Sequence, residues 1–340
     1  MKIGLRTIKT GIAVTLSLFV SNLLGIDNPF YAAVAAIIVM QPTVSDSWVT
    51  GINRMLGTVI GAVVGAIFVG IAPANPLLAG FGIIVLILIM NRLNWGESIA
   101  IAGVVFVGIF LNIEGDHISN ALHRLLDTSI GIIIGVIINY TVYPPAYDGK
   151  VIDEIKQISK NTLKYNIKAL ELLLKEEENL ELLEEQIQGI EKELKTSEKL
   201  LELQKKEEKM KIYCGIKHKE MLIIINLEKE VFQHLQNIQN ILEKGIHEDI
   251  VNIVKEDIDN IKSSLKKFYE KEKQIGFIHN GNDKDPDNLK PIIQHIKKTK
   301  VHLNNYKDIN NYPTDEVVKM LVFLYNLEEA LLKFNMIICC

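Results

Sequence analysis

The chain has 340 residues, of which 48% are hydrophobic and 23% are charged, and its formal net charge at pH 7 is −4. Residues 1–147 carry six basic and six acidic side chains, whereas residues 148–340 carry 31 and 35. The composition of residues 1–147 is typical of membrane-spanning segments, and that of residues 148–340 is typical of a water-exposed domain. These values exclude a single soluble globule, a secreted disulfide scaffold and a disordered chain, and the absence of a basic block argues against a nucleic-acid binder.

Six apolar segments in the first part predict six transmembrane helices, because a bilayer core needs roughly 20 apolar residues per helix. Prolines and turn residues separate the segments, and Pro144-Pro145 closes the set. The first segment is predicted to be a retained helix, since no small-x-small cleavage site of a signal peptide follows it. The six segments are 11–26, 29–40, 55–72, 77–90, 98–111 and 125–143.

Basic residues near the ends of these segments predict how the chain is oriented in the membrane, because they gather on the cytoplasmic side. Only Arg124 lies at an outer end when the N-terminus is inside. Six crossings then return the chain to the inside, so both termini and residues 148–340 are predicted to be cytoplasmic at the plasma membrane. The cysteines, Cys214, Cys339 and Cys340, are consistent with a reducing compartment, because two adjacent cysteines are poor disulfide partners. The basic residues at the inner ends are Lys2, Arg6, Lys9, Arg54, Arg92 and Lys150.

The third and sixth segments repeat one another at a distance of 70 residues. Both contain the pattern R-x-L-x-T-x-I-G-x-x-x-G, at 54–65 and 124–135. The second and fifth segments align as 33–39 with 100–106. Two units of three helices would have opposite orientations in the membrane, because the number of helices per unit is odd. Inverted repeats of this kind are typical of transporters.

The repeated arginines, Arg54 and Arg124, are the predicted substrate-binding residues. If Asp46 or Ser47 caps the third helix, Arg54 lies about 12 Å inside it, and a cap at Asp116 places Arg124 equally deep. A charge at such a depth costs on the order of 3 kcal/mol and needs an acid, a water-filled cavity or an anionic ligand. The alternative is that both arginines reach the lipid phosphates.

Polar residues near the arginines extend this predicted site. Thr58 and Thr128, one turn further on, are predicted to donate hydroxyl hydrogen bonds to the anion. Asp127 shares a helical face with Arg124 and is predicted to form an ion pair with it or to couple transport to a proton. Spacings of the G-x-x-x-G type predict close helix packing within the bundle or across a dimer. The glycines concerned are Gly57, Gly61, Gly65, Gly131 and Gly135.

The sequence from Arg54 to Thr58, the preceding turn at 38–42, six short helices and a helical tail resemble the bacterial aromatic acid exporter family. That family belongs to the fusaric-acid-resistance superfamily and is similar to plant aluminium-activated malate transporters. The resemblance implies an inner-membrane dimer that moves organic anions. It also implies that arginines of the third and sixth helices, which correspond to Arg54 and Arg124, line the pathway.

The charged second part is predicted to be helical, with helices across 150–210 and near 217–243, 247–275, 288–305 and 314–337. A heptad-like stripe from Leu180 to Leu201, interrupted at Ser197, predicts a helical bundle or a dimeric coiled coil. Loops are predicted at 283–288, 304–305 and 310–314.

No motif for chemistry accompanies these helices: the sequence has no P-loop, no C-x-x-C and no H-x-x-x-H pattern. We therefore expect no metal, no cofactor and no enzymatic activity. The sequence predicts an all-α protein with a transmembrane domain, 1–147, and a cytoplasmic domain, 148–340. The predicted function is an exporter or channel for organic anions, with aromatic carboxylates as candidates, that works in the lipid bilayer as a homodimer. A membrane-anchored scaffold or sensor is the alternative, but repeated arginines favour transport.

Overall fold

The computed structural model describes residues 4–26, 29–111, 117–143, 147–176, 179–208, 218–275, 289–307 and 309–339. This part of the chain is all-helical, with thirteen α-helices, two short 3₁₀ turns and no strand, which confirms the predicted fold class. The chain divides into two compact units. One comprises Met1–Pro145 with Lys206–Ile212, and the other comprises Ala146–Lys205 with Tyr213–Cys340.

The first unit contains helices α1 to α6, which match the six apolar segments in order. The third begins earlier than predicted, because its N-cap is Thr43, whose hydroxyl accepts from the N–H of Asp46 at 2.9 Å. The predicted cap at Asp46 or Ser47 is therefore wrong, and the predicted cap at Asp116 lies outside the described residues. The helices are α1 (Leu5–Leu23), α2 (Phe30–Val39), α3 (Val44–Val69), α4 (Pro76–Arg92), α5 (Ile99–Phe110) and α6 (His117–Thr141).

Helix length separates these six helices into classes. Among the described residues, two helices are long and apolar enough to cross a membrane, Val44–Val69 and Ala121–Thr141, although core helices of soluble proteins also meet this criterion. Helices α2 and α5 have 10 and 12 residues, so they extend about 15 and 18 Å, against roughly 30 Å of hydrocarbon. Six complete crossings remain a prediction. All six helices nevertheless expose large apolar side chains, among them Phe19, Phe30, Ile67, Leu77, Val104 and Leu126.

The glycines of the repeat bring helices of the same chain together. A Cβ added to Gly61 of α3 would lie 2.3 Å from the carbonyl oxygen of Ala102 in α5. One added to Gly131 of α6 would lie 2.2 Å from the carbonyl oxygen of Ala32 in α2. Only glycine permits backbones to approach so closely. Helix α3 therefore packs on α5 and α6 packs on α2, each against the other three-helix segment.

These contacts fix the register of the repeat. Ala32 and Ala102 are 70 residues apart, as are their partners Gly61 and Gly131. The next glycines repeat this relation. A Cβ added to Gly65 would lie 3.3 Å from the carbonyl oxygen of Phe106, and one added to Gly135 would lie 3.4 Å from the carbonyl oxygen of Ala36. The alignment of 33–39 with 100–106, which is an offset of 67, is thus wrong by three residues. Runs of Ala, Ile and Val cannot define a register by their letters, whereas backbone contacts do.

The second unit is a helical bundle around an extended apolar core. The Leu180–Leu201 stripe is part of that core: Leu183, Ile190 and Leu194 are at most 5% exposed within a single chain. A coiled coil with a second chain would need another surface. The predicted helix over 247–275 is interrupted at Val254, and the predicted loop 283–288 lies outside the described residues. The helices are α7 (Asp148–Leu173), α8 (Leu180–Glu208), α9 (His218–Lys244), α10 (Glu248–Ile253), α11 (Lys255–Ile275), α12 (Lys290–Asn304) and α13 (Thr314–Cys339).

Candidate functional site

Arg54 is a buried guanidinium without a partner in the described part of the chain. The residue is 6% exposed, and its Nε makes no hydrogen bond. No described residue offers its side chain an ion pair or a ring contact either. Because arginine stays charged in proteins, this position holds a permanent positive charge that the surrounding helices do not neutralise. Burying such a group without compensation is costly, so the arrangement favours an anion supplied from outside.

Arg124, its counterpart in the repeat, is held by the protein. Its Nη1 donates to the carbonyl oxygen of Val105 at 3.1 Å, and its Cζ lies 4.1 Å from the centre of the Tyr31 ring. Gly108 leaves the space for the guanidinium, because a Cβ there would lie 2.4 Å from Nη1. The two arginines are identical in the sequence pattern but differ in their surroundings.

The 70-residue register explains this difference. The position equivalent to Gly108 is Ile38, which carries a branched side chain where Arg124 finds free space. The position equivalent to Tyr31 is Ile101, which offers no aromatic face to a cation. The positions that give Arg124 its space and its aromatic ring thus both correspond to isoleucine when the repeat aligns Arg124 with Arg54.

The predicted threonines are buried beside the arginines. Thr58 and Thr128 are each 2% exposed. The Thr58 hydroxyl donates to the carbonyl oxygen of Arg54 at 2.8 Å, so its proton is directed to the helix backbone. Thr58 would have to break this bond before it could donate to an anion, as the sequence predicted.

Asp127 has other partners than Arg124 in the described part of the chain. Its Oδ1 accepts from the Ser21 hydroxyl at 3.3 Å, and the backbone N–H groups of Tyr31 and Ala32 also donate to it. These N–H groups belong to the first turn of α2, where a carboxylate is favoured by the helix dipole. Oδ2 is buried without a partner. Asp127 thus stabilises the start of α2, and no ion pair with Arg124 is found among the described residues.

A second polar cluster, which the sequence did not single out as a site, joins α1 and α6. Lys9 is 6% exposed, and its Nζ donates to the backbone oxygen and to Oδ1 of Asn139 at 3.2 and 3.1 Å. The Asn139 amide donates to the carbonyl oxygens of Gln41 and Thr43 and to the hydroxyl of Ser47. The available signal was the spacing of polar residues on one face of α1, which are Lys9, Ser17 and Ser21.

The two polar contacts between α1 and α6 also define the direction of these helices. Lys9 contacts Asn139, whereas Ser21, twelve residues later, contacts Asp127, twelve residues earlier. The helices are therefore antiparallel. Between the two polar contacts lie Ala13 and the small residue Ser17, both fully buried.

A metal centre is not found in the described residues, because none of them form a group of three or more His, Cys, Asp or Glu. In the described part of the first unit, the buried ionisable and hydroxyl groups include three cations, several hydroxyls and the carboxylates of Asp127 and Glu207. Such cationic and hydroxyl groups can bind and orient an anion.

Comparison with known proteins covers the same part of the chain. Residues 1–142 match the model of aromatic acid exporter family member 1. UPF0421 protein YgaE of Bacillus subtilis is 32% identical over 165 residues, which are 48% of this chain and 47% of that protein. A UPF0421 protein of Staphylococcus haemolyticus is 31% identical over 156 residues, which are 46% of this chain and 47% of that protein.

The match extends to Oceanobacillus iheyensis, where a UPF0421 protein is 28% identical over 158 residues, 46% of this chain and 45% of that protein. The chain spans about half the length of the curated relatives it matches. The matched range covers the positions of both arginines and all five glycines of the repeat, and the match confirms the resemblance found in the sequence. Residues 1–142 are therefore similar to the aromatic acid exporter family.

Proposed function

We propose that this protein carries organic anions across the plasma membrane, as an exporter or a channel, and that carboxylates are its substrate class. The observation that carries the proposal is the Arg54 guanidinium, which is 6% exposed on a helix of 26 residues and has no partner among the described residues. A guanidinium offers five donors in a planar fork that matches a carboxylate. The similarity of residues 1–142 to an exporter family supports transport as the activity.

The membrane arrangement of this proposal is six helices in two inverted repeats, with both termini cytoplasmic. The antiparallel contact of α1 and α6 supports it, because these helices must run in opposite directions after an even number of crossings. The short helices α2 and α5 support it as well, since short apolar helices at corresponding positions of two repeats mark the binding region of many transporters.

In this proposal the two arginines have different tasks. Arg54 binds the carboxylate, because it has no other partner in the described part of the chain. Arg124 contributes positive charge from a fixed position on Val105 and Tyr31. Thr58 lies on the same helix as Arg54, and Thr128 lies on the same helix as Arg124. Asp127 stabilises the start of α2, and its Oδ2, which has no hydrogen-bond partner among the described residues, is available to a proton.

The predicted homodimer remains part of the proposal, but its surface differs from the one first expected. The glycine faces of α3 and α6 are filled by α5 and α2, and the Leu180–Leu201 stripe lies in the core of the second unit. Exposed apolar side chains of the first unit, such as Phe19 and Leu23 of α1, are the surfaces that remain for lipid or for a second copy.

Flux measurements in proteoliposomes test the proposal. The full chain is reconstituted, and uptake of radiolabelled benzoate, malate and phosphate is compared with that of an uncharged control, benzyl alcohol. Arg54→Ala should abolish carboxylate flux, and Arg54→Lys should retain part of it because the charge remains without the fork. Arg92→Ala, which changes the exposed end of α4, is the matched control.

Two results would contradict the proposal. Wild-type flux through a folded Arg54→Ala variant would show that this arginine is not a substrate ligand. Absence of flux for every carboxylate, from protein that is monodisperse and helical, would favour the membrane-anchored scaffold.

A further inference from the structure

The first turn of α3 holds a carboxylate that belongs to the chain itself. The N–H of Val44, the first residue of the helix, donates to Oε2 of Glu207 at 2.8 Å in a buried hydrogen bond. Glu207 is 4% exposed and lies in the segment Lys206–Ile212, which packs as part of the first unit. Lys206 forms an ion pair with Asp46 at 3.2 Å in the same turn of α3.

Lys9 supplies positive charge to this carboxylate. The lysine is buried, and its Nζ donates to two neutral oxygens of Asn139. The amide group of Asn139 donates in turn to the carbonyl oxygen of Thr43, the N-cap of α3. Glu207 is the acid that acts on Lys9 by Coulomb attraction. The N-terminus of a helix of 26 residues and a buried ammonium group therefore both stabilise the carboxylate of Glu207.

A free carboxylate would meet the same two groups. Helix N-termini bind anions through unpaired N–H groups and the helix dipole, and a buried ammonium strengthens such hydrogen bonds. We propose that Lys9 and the N-terminus of α3 form a carboxylate-binding subsite, that Glu207 occupies it in this structure, and that Glu207 thereby competes with the transported anion.

The position of the subsite relates it to Arg54. Val44 and Arg54 are ten residues apart on α3, about 15 Å along the helix. The sequence predicts that α3 begins on the cytoplasmic side, so a carboxylate from the cytoplasm meets Lys9 and Val44 before it reaches Arg54. In this respect the inference rests on the proposed function.

The strength of the competition follows from the covalent connection. A tethered group has an effective concentration on the order of millimolar. Glu207 therefore excludes a free carboxylate that binds the subsite weakly and yields to one at higher concentration. Removing its charge should raise the apparent affinity for a free carboxylate roughly threefold or more.

A binding experiment tests this competition on the full chain in lipid nanodiscs, with 2-naphthoate as a fluorescent carboxylate probe. Glu207→Gln should bind the probe at least about threefold more tightly than wild type. Glu202→Gln, an exposed acid five residues earlier on α8, is the matched control and should bind like wild type. Lys9→Gln should bind more weakly than wild type, and Lys9→Arg should restore binding.

Equal affinities of the Glu207→Gln and Glu202→Gln variants would overturn the proposal. So would Lys9→Gln binding as tightly as wild type. Loss of binding in Arg54→Ala decides only the proposed function, because the comparison of Glu207 with Glu202 concerns the subsite alone.

A cross-linking experiment measures the displacement directly. Asp46→Cys and Lys206→Cys are introduced into a chain whose Cys214, Cys339 and Cys340 are changed to Ser, and the rate of disulfide formation is followed. Benzoate should slow the reaction because it displaces Glu207, whereas benzyl alcohol should not. A rate that saturating benzoate leaves unchanged would overturn the proposal, even if the Lys9→Gln variant fails to fold.

Discussion

Glu228 of α9 makes the second unit sensitive to pH in a predictable direction. The carboxyl group is 1% exposed; Ser159 donates to Oε1 at 2.8 Å, and Oε2 is buried without a partner. Burial raises the pKa of Glu228 from 4.5 to about 8, although the Ser159 hydrogen bond acts against this rise. A carboxyl whose pKa is raised on folding stabilises the fold fully below pH 4.5, and this stability is lost as pH rises towards 8.

The full loss is about 5 kcal/mol, because each pKa unit corresponds to about 1.4 kcal/mol. Between pH 6 and pH 8 the expected loss is about 2 kcal/mol, or roughly thirtyfold in the equilibrium constant for opening. Glu228→Gln keeps the Ser159 contact and removes the ionisation, so its stability should not change in this range. Glu220→Gln, which alters an exposed acid of α9, should behave like wild type.

Hydrogen exchange of the full chain, read by mass spectrometry on peptides of α7 and α9, measures this effect after correction for the intrinsic rate at each pH. Wild type should lose protection between pH 6 and pH 8, and Glu228→Gln should not. Parallel pH dependence in both proteins would refute the reasoning, since it would mean that Glu228 does not titrate in this window.

Three further predictions concern packing and topology. Gly61→Ala should lower the free energy of unfolding by about 1–3 kcal/mol, because the added methyl group overpacks the α3–α5 contact. Gly80→Ala, which has open space around it, should leave the melting temperature unchanged. Equal melting temperatures of the two variants would argue against the α3–α5 contact. Leu183→Ala should lower the free energy of unfolding by about 2–5 kcal/mol, and Leu182→Ala, at an exposed position, should lower it much less. Urea unfolding measures both values, and equal losses would place the Leu180–Leu201 stripe outside the core. A tag after Cys340 should resist an impermeant maleimide in intact cells, and its labelling would reverse the predicted orientation.

The sequence predicted the two arginines because the repeat preserves their letters, but it could not predict their different surroundings. Tyr31, Val105 and Gly108 lie on other helices, and no local pattern connects them with Arg124. Arg54 shows the reverse case, in which the absence of a partner is visible only after folding.

The predicted N-cap of α3 and the predicted alignment of the second and fifth segments were wrong for simpler reasons. Thr43, Asp46 and Ser47 are all good N-caps, and only the hydrogen bond from Asp46 to Thr43 distinguishes them. Lys9, at the inner end of α1, looks like a loop charge in the sequence. Its partner Asn139 is 130 residues away, so no local pattern predicts that the lysine is buried.

The reciprocal packing of glycines sorts the helices of the first unit into two packed bodies. Helices α1, α2 and α6 pack together, and so do α3, α4 and α5, so each body takes its third helix from the other half of the sequence. The chain passes from one body to the other only between α2 and α3 and between α5 and α6. Helix α3 also packs on α6, so the two bodies meet along the helices that carry Arg54 and Arg124. The segment from α1 to α3 and the segment from α4 to α6, expressed as separate chains, would each leave a glycine face unfilled until they meet.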